Sequence, residues 1–437
     1  MRFGLFLLVN VVLIIRPTEI ISGLEDLPVY YAVILAALVA AARSILGQFT
    51  PAALAASPIT TCVLGFLVAI VLSHLANGAV REAIASGMMF VKVALYYLLL
   101  VANLRTARDI RVFLVVVCGL MTVQAGLAVL QFFGYIDIEA LRPFEQRMED
   151  YRTGETVGLL PRLCGAGIFH DPNDLCVLLV IGAVFTLYLT AERRLGPGRF
   201  AAAVPLGVFL GAIPLTASRG GMLALFAALT TFAFLRLGAR RGVMLILLAL
   251  PLTAVVLGGR MTQFELDNPD DTSQHRLRHW SDGLVAFRGS PVFGIGQGTY
   301  EALAGHVAHN SYVEAYTELG VLGGTLFTGA FVYAAWALIR VGRRLRRAQA
   351  PTLARLHPCL LTAVIALMIG MVSLSRNYTP PTYLILGLAT AYLRVAGVHA
   401  PGAVPPLTLS LSLRWTGLSI LFIAAMSLGT ALLVQWR

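Results

Sequence analysis

The chain has 437 residues, of which 58% are hydrophobic and only 13% charged, and its mean hydropathy is +0.80. This composition excludes a soluble domain of that length and predicts an all-α polytopic membrane protein, with a single multi-span domain over residues 1–437. The net charge of +11 would suggest nucleic-acid binding in a soluble protein, but here the arginines cluster in short loops, where membrane orientation explains them better.

Apolar runs long enough to cross a bilayer recur along the whole chain and predict thirteen transmembrane helices, plus or minus one. The runs lie at 3–15, 29–42, 59–75, 83–102, 112–133, 173–190, 200–215, 221–235, 242–258, 312–339, 357–374, 381–396 and 415–434. The first two are short and are separated by Arg16 and Pro17, so the number of spans is least certain there. Because no small-residue cleavage site follows the run 3–15, we expect a retained span and not a removed signal peptide.

The arginines orient these spans. Four loops rich in arginine fall on one side of the membrane if the spans alternate; they are 103–111, 191–199, 236–241 and 340–356. The positive-inside rule places them in the cytoplasm. The loop 134–172 and the large polar loop 259–311 then lie on the outer face of a bacterial inner membrane, which is the periplasmic face in a Gram-negative cell.

The large outer loop ends at a helix that begins near Tyr312. Asn310 or Ser311 can N-cap this helix, which leaves His309 just outside its N-terminus. The positive end of the helix is expected to depress the pKa of His309 and keep its imidazole neutral. His309 is therefore the first candidate for a general base, and since ATP is absent from that face, a lipid diphosphate is the obvious activated donor.

Three arginine segments of the outer face are suited to binding a phosphate. Arg219 lies in TASRGG at the start of the span 221–235, where Ser218 can cap the helix, and an arginine opposing the helix dipole makes sense beside an anion. The alternative is an interfacial arginine that reaches lipid headgroups. Arg276 and Arg278 lie in SQHRLRHWSDGL, a predicted helix, and a guanidinium fork suits a phosphate, the alternative being a solvated basic helix face. Arg162, in PRLCGAG, is either a second diphosphate contact or a structural loop residue.

Other residues have competing interpretations. Of Glu314 and Glu318, one is expected to orient a histidine or bind substrate hydroxyls, and the other to be interfacial. Asp171, followed by Pro172, is typical of ordinary helix capping. Lys92, in mid-span, is either a buried tie between helices or a site residue.

The sequence does not indicate a metal or dinucleotide site. His275 and His279 have the i, i+4 spacing of two metal ligands, but no HExxH and no adjacent carboxylate completes a site. The five cysteines show no paired spacing. The glycines of PVFGIGQGTY lack the spacing of a dinucleotide loop and are expected to let the chain turn tightly.

Four segments, in order and spacing, resemble the O-antigen ligase and O-antigen polymerase superfamily of bacterial envelope glycosyltransferases. They are PRLCGAGIFHDPNDL (161–175), TASRGG (216–221), HRLRHW followed by PVFGIGQGTY (275–300), and HNSYVEAYTELGVLG (309–323). The N-terminal spans match only in being hydrophobic. The segment 161–175 departs from the family in carrying His170 and Asp171, and its arginine positions are variable.

The resemblance implies metal-independent, inverting transfer of a glycan from undecaprenyl diphosphate to an acceptor hydroxyl at the outer face, without a cofactor. By the family pattern, His309 is the histidine of the His-Asn pair, Arg219 the arginine of SRG, and Arg276 the arginine before the loop tryptophan. Substrate contacts are expected from Arg278, Arg162, Glu314 and Glu318. The acceptor can be lipid A core, a growing glycan, or a protein hydroxyl.

Two other functional classes remain as alternatives. A transporter or flippase of lipid-linked glycans would favour polar residues around a midplane cavity, whereas this chain concentrates them in an outer loop. A metal-dependent membrane hydrolase would use His275, His279, His306 and His309 as ligands.

Overall fold

The computed structural model describes residues 1–20, 23, 28–149, 156–238, 240–244, 272–345 and 350–434. Twelve helices within these ranges are long and apolar enough to cross a membrane, which confirms the all-α polytopic class. The predicted span 242–258 lies mostly outside the described residues, as do residues 259–271 of the large loop.

Seven described α-helices lie before residue 133. They are α1 (Arg2–Ile15), α2 (Pro17–Ile20), α3 (Val29–Leu46), α4 (Pro51–Ala56), α5 (Pro58–Ala76), α6 (Val80–Asn103) and α7 (Ala107–Phe132). The remaining described helices are α8 (Pro172–Ala191), α9 (Gly198–Ala201), α10 (Ala203–Leu215), α11 (Arg219–Leu237), α12 (Thr272–Gly289), α13 (Tyr300–Ala304), α14 (Ser311–Leu345), α15 (Pro351–Gly370), α16 (Pro380–His399) and α17 (Leu409–Leu433).

A two-stranded β-sheet lies within the loop 134–172, which the arginine distribution predicts to be on the outer face. Its strands, β1 (Phe144–Glu149) and β2 (Thr156–Arg162), pair antiparallel, with Phe144 opposite Arg162. The apolar periodicity of the sequence did not predict this sheet, because neither strand alternates strictly between apolar and polar residues. Strand β2 ends at Arg162 and places this residue at the start of α8.

The longest helix, α14, has 35 residues and packs against α5, α15, α16 and α17. It is broken at Gly320, whose φ of 65° and ψ of −166° are accessible essentially to glycine alone. A break in a transmembrane helix leaves backbone groups without their helical partners, and these must be satisfied by other groups inside the protein.

The loop after α12 supplies those partners. The N–H groups of Ile295 and Gly296 donate to the carbonyls of Thr317 and Glu318, at 3.1 and 2.9 Å. In return, the N–H of Val321 donates to the carbonyl of Pro291 at 2.8 Å. The loop is thus joined to the middle of α14 by main-chain bonds.

The glycines of this loop turn the chain as expected. Gly294, Gly296 and Gly298 have φ values of 73°, 110° and 78°. A Cβ added at Gly294 would meet the backbone carbon of Glu318 at 2.3 Å, so this position also requires glycine for close approach.

Gly320→Ala is expected to destabilise the protein strongly. The added Cβ would meet the backbone carbon of Val292 at 2.3 Å, and the φ/ψ strain alone costs about 1–3 kcal/mol. Gly329→Ala, on the same helix, is the matched control, because its Cβ would meet only Trp415 at 3.8 Å. Thermal unfolding in detergent should show a large drop in Tm for the first variant alone; equal Tm values would contradict this account of the break.

Hydrogen bonds join the arginine-rich ends of several helices. Arg2 and Arg105 both donate to Ser44, and Arg394 donates to the carbonyl of Leu104. These bonds bring arginines of α1, of α16 and of the segment after α6 together with Ser44 of α3 at one end of the bundle. The fully buried Glu192 pairs with Arg355 at 3.2 Å and ties the end of α8 to the start of α15.

Lys92 fits neither alternative considered for it. Its side chain is exposed on the outside of α6, and its ammonium lies 5.7 Å from the ring centroid of Tyr31 on α3. The lysine is therefore neither buried between helices nor gathered into the outer-face cluster, and a cation–π contact accounts for its position.

Candidate functional site

His309 lies at the N-terminus of α14. Asn310 is the N-cap: its side-chain oxygen accepts hydrogen bonds from the N–H groups of Tyr312 and Val313, at 3.0 and 3.2 Å. His309 itself has a φ of 47°, which is in the left-handed region and costs a non-glycine residue about 1–2 kcal/mol. Strain of this kind persists only where surrounding contacts hold the residue in place.

The predicted helix of the outer loop, α12, supplies one of those contacts. The indole N–H of Trp280 donates to the carbonyl of Ala308 at 2.8 Å. The hydroxyl of Tyr300 donates to the carbonyl of His279, which joins the end of the glycine loop to the same helix. Trp280 thus fixes the residue directly before His309.

The pKa of His309 is lowered to about 4, first by burial and second by the guanidinium of Arg276. Arg376 and His279 lower this pKa further, while the carboxylate of Asp171 opposes them. The predicted direction is confirmed, but burial and neighbouring cations are the main causes, in place of the helix dipole that we expected. His309 is neutral at physiological pH.

Arg376 is a member of the cluster that the sequence analysis did not single out. Its guanidinium is paired with Asp174 in the first turn of α8, and its backbone N–H donates to the Ser311 hydroxyl at 2.9 Å. Burial is the largest single influence and disfavours its charge, but the hydrogen bond to Asp174 and the charges of Asp174, Asp171 and Glu314 together outweigh burial and raise the pKa of Arg376. The available signal was its position, as an arginine in a short outer-face loop.

A cleft of about 730 Å³ opens beside these groups. Its lining includes the charged residues Asp171, Asp174 and Arg376 and the apolar residues Val177 and Leu367. Asp171 also caps α8 as predicted, accepting from the N–H groups of Asn173 and Asp174. The cleft therefore combines charged groups near His309 with a surface suited to a lipid chain.

Arg219 begins α11, where Ser218 caps the helix as predicted by accepting from the N–H of Gly221 at 3.0 Å. The two glycines after Arg219 allow very close packing: a Cβ at Gly220 would meet the Ser373 hydroxyl at 1.8 Å, and one at Gly221 the Cys176 sulfur at 2.2 Å. These contacts place the start of α11 against α8 and the turn that precedes Arg376.

The contacts of Arg162 support its interpretation as a structural loop residue. It is only 8% exposed, and it donates to the carbonyl of Thr216, to Gln146 and to the amide oxygen of Asn173, at 2.9, 3.2 and 2.8 Å. The Ser218 hydroxyl donates to the same amide oxygen. The arginine thus ties β2 to the turn before Arg219, whereas its contact with a substrate stays a prediction.

The other predicted substrate contacts, Arg278 and Glu314, lie in different surroundings. Arg278 lies two residues after Arg276, which is about 200° around the axis of α12, so the two arginines point to different sides of the helix. Glu314 lies in the first turn of α14, and its charge acts on Arg376. Its Oε2 atom is buried and accepts no hydrogen bond within the described part of the chain. The contact of Glu314 with a substrate hydroxyl stays a prediction.

Glu318 has a different role from the one expected, because it is 1% exposed and is not interfacial. Its Oε1 atom accepts from the N–H groups of Gly298 and Tyr300, at 2.8 and 3.3 Å, and Tyr378 bonds to its Oε2 atom at 2.7 Å. The carboxylate therefore holds the glycine loop and the segment after Arg376 in place.

Glu318→Ala is expected to lower the free energy of unfolding by several kcal/mol, because each buried donor left unpaired costs about 1–3 kcal/mol. Glu318→Gln keeps an acceptor oxygen for both backbone donors and should fold far better. Unfolding in detergent, with transfer activity normalised to folded protein, is the measurement. A Glu318→Gln variant that folds like the parent but binds substrate poorly would show a direct substrate contact instead.

The outer-face histidines do not assemble into a recognisable metal site. The His279 and His306 rings lie in an edge-to-face arrangement with centroids 5.3 Å apart, and burial with the charge of His306 lowers the pKa of His279. Among the described residues, no group of three or more His, Cys, Asp or Glu side chains could hold a metal ion.

Comparison with known proteins gives one family match. The model for the family described as O-antigen ligase matches residues 202–328, which include Arg219, α12, the glycine loop and His309. A search of curated proteins found no match. The family match agrees with the resemblance in motif order and supports a membrane glycosyltransferase type of function. The chain is a multi-pass membrane protein whose residues 202–328 are similar to the O-antigen ligase family.

Proposed function

We propose that the protein transfers a glycan from undecaprenyl diphosphate to an acceptor hydroxyl at the outer face of the bacterial inner membrane. The observation that carries the proposal is the neutral, strained His309, whose imidazole feels the charges of Arg276, Arg376 and Asp171, two of which also line the cleft. A neutral imidazole can take a proton, and the surrounding guanidinium groups suit a diphosphate.

In the proposed reaction, the acceptor oxygen attacks the anomeric carbon while His309 takes its proton. The bond between that carbon and the diphosphate oxygen breaks, and its electron pair leaves with undecaprenyl diphosphate. Arg276, Arg376 and Arg219 stabilise the charge that develops on the departing diphosphate. One displacement inverts the anomeric configuration, and the step needs neither a metal ion nor a nucleotide.

Donor binding would also make His309 a better base. In the empty site the guanidinium of Arg276 disfavours a proton on the imidazole. A diphosphate seated on the arginines would offset their charge, which raises the basicity of His309 when the acceptor arrives. The acceptor class remains open among lipid A core, a growing glycan chain and a protein Ser or Thr hydroxyl.

A test is reconstitution of the purified protein in liposomes that contain undecaprenyl-diphosphate-linked glycan, with each acceptor class supplied in turn. We expect a covalent glycan product and stoichiometric release of undecaprenyl diphosphate, unchanged by a metal chelator. Movement of intact donor between leaflets without a covalent product would favour the transporter. Loss of activity on chelation, with recovery on adding zinc, would favour a metal-dependent reaction.

A further inference from the structure

A second cavity lies at the other end of the bundle from His309. Its volume is about 400 Å³, and its lining includes Gln48, Thr60, Val101, Tyr333, Thr390 and Arg394. Arg394 lies fourteen residues after Pro380 on α16, which is about 20 Å along the helix axis from the segment of Arg376. The proposed transfer reaction makes no use of this cavity.

The cation of this cavity is Arg394, whose guanidinium donates hydrogen bonds to described residues from only one of its three nitrogen atoms. The Nη2 atom of Arg394 donates to the carbonyls of Val101 and Leu104, both at 2.8 Å. These bonds cap the C-terminus of α6, as arginines often do. Within the described ranges its Nε and Nη1 atoms bond no other group and no carboxylate pairs with it, and its side chain is exposed and accessible to an anion.

Other arginines make the surroundings strongly positive. Arg105 donates to the carbonyl of Ala102 at 3.1 Å and lies near enough to Arg394 to repel it. Arg2 donates to the same carbonyl at 3.3 Å. The nearby Asp109 is engaged in capping α7, where it accepts from the N–H groups of Arg105 and Thr106. A bound anion would relieve this repulsion.

The walls of the cavity favour an amphiphile over a small soluble anion. Val101, Tyr333 and Leu393 give it apolar sides. The Tyr97 hydroxyl is hydrogen-bonded to the hydroxyls of Thr60 and of Thr390, both at 2.9 Å. These hydroxyls therefore have partners and do not require a polar ligand. Inorganic phosphate could pair with Arg394 but has no apolar surface to bury against the sides of the cavity.

We propose that this cavity binds an anionic phospholipid of the arginine-rich leaflet, with its phosphate on Arg394 and an acyl chain along Val101 and Tyr333. Basic pockets between transmembrane helices on the cytoplasmic side are suited to anionic headgroups. The lipid would also support a nearby surface segment, since the hydroxyl of Tyr333 donates to the carbonyl of Pro405, and the N–H of Leu407 donates to that of Ala55 on α4.

Native mass spectrometry of the full chain, titrated with phosphatidylglycerol or phosphatidylcholine, tests the site. We expect phosphatidylglycerol to bind the parent about tenfold tighter than phosphatidylcholine, and Arg394→Gln to remove that preference. Arg193→Gln is the matched control, because Arg193 is an exposed arginine of another arginine-rich loop. Equal lipid binding by the Arg394→Gln variant and the parent would overturn the proposal.

A second variant covers failure of Arg394→Gln to fold. Gly397 lines the cavity, and a Cβ there would meet Val404 at an ordinary 3.7 Å, so Gly397→Leu should fill the cavity while keeping the cation. We expect it to exclude phosphatidylglycerol; retained lipid would contradict the assignment. Displacement of the lipid by millimolar inorganic phosphate would show a site for a soluble anion and would also overturn it.

Discussion

The His309→Asn variant is expected to fold like the parent and to lose glycan transfer by a factor of about 10²–10⁴, the usual contribution of a positioned general base. Asparagine tolerates the left-handed conformation that His309 adopts at φ 47° and keeps a polar side chain beside the N-cap. It cannot accept the acceptor's proton, so the loss reports on proton transfer and not on folding. The rate is measured in liposomes as product formed per folded protein.

His306→Ala is the control for this prediction. His306 is exposed on the same outer face, three residues before His309, and its removal leaves the capped helix start intact. Donor should accumulate in membranes that carry His309→Asn but not in those that carry His306→Ala. Normal transfer by His309→Asn would remove the general-base assignment, and loss of transfer in His306→Ala alone would move that role to His306.

Arg276→Gln is expected to change both the rate and its pH dependence. The guanidinium stabilises the departing diphosphate in the proposed reaction, and removal of one such group lowers the rate about 10²–10³-fold. Because the same charge lowers the pKa of His309, its loss should raise that pKa. The base is active only when neutral, so activity is present above this pKa and is lost as pH falls through it.

The acid limb of kcat/KM therefore belongs near pH 4 in the parent and at a higher pH in Arg276→Gln. The acid limb of kcat should lie above that of kcat/KM, since bound diphosphate offsets the arginines. Arg288→Gln, at the exposed end of the same helix, is the matched control and should leave both limbs unchanged. An unmoved acid limb in Arg276→Gln would show that its charge does not reach the base.

Arg376 shows why part of the site escaped the sequence analysis. Its partner Asp174 is 202 residues away in the chain, and its backbone bond to Ser311 also joins distant segments. Neither contact leaves a local pattern such as a cap or a periodic apolar face. The burial of Glu318 escaped for the same reason: the sequence predicted that one of Glu314 and Glu318 is interfacial, whereas the break at Gly320 and the packed glycine loop bury Glu318.

Local chemistry determined what the sequence could reveal by itself. Apolar runs of sufficient length produced the spans, and the capping side chains of Asp171, Ser218 and Asn310 marked the helix starts, because capping bonds reach only two or three residues along the chain. His309, directly before such a start, was identifiable from that position. The tertiary structure alone decided which side chains surround His309, how deeply it is buried and where the cleft opens, because burial and charge depend on segments that meet only after the helices pack.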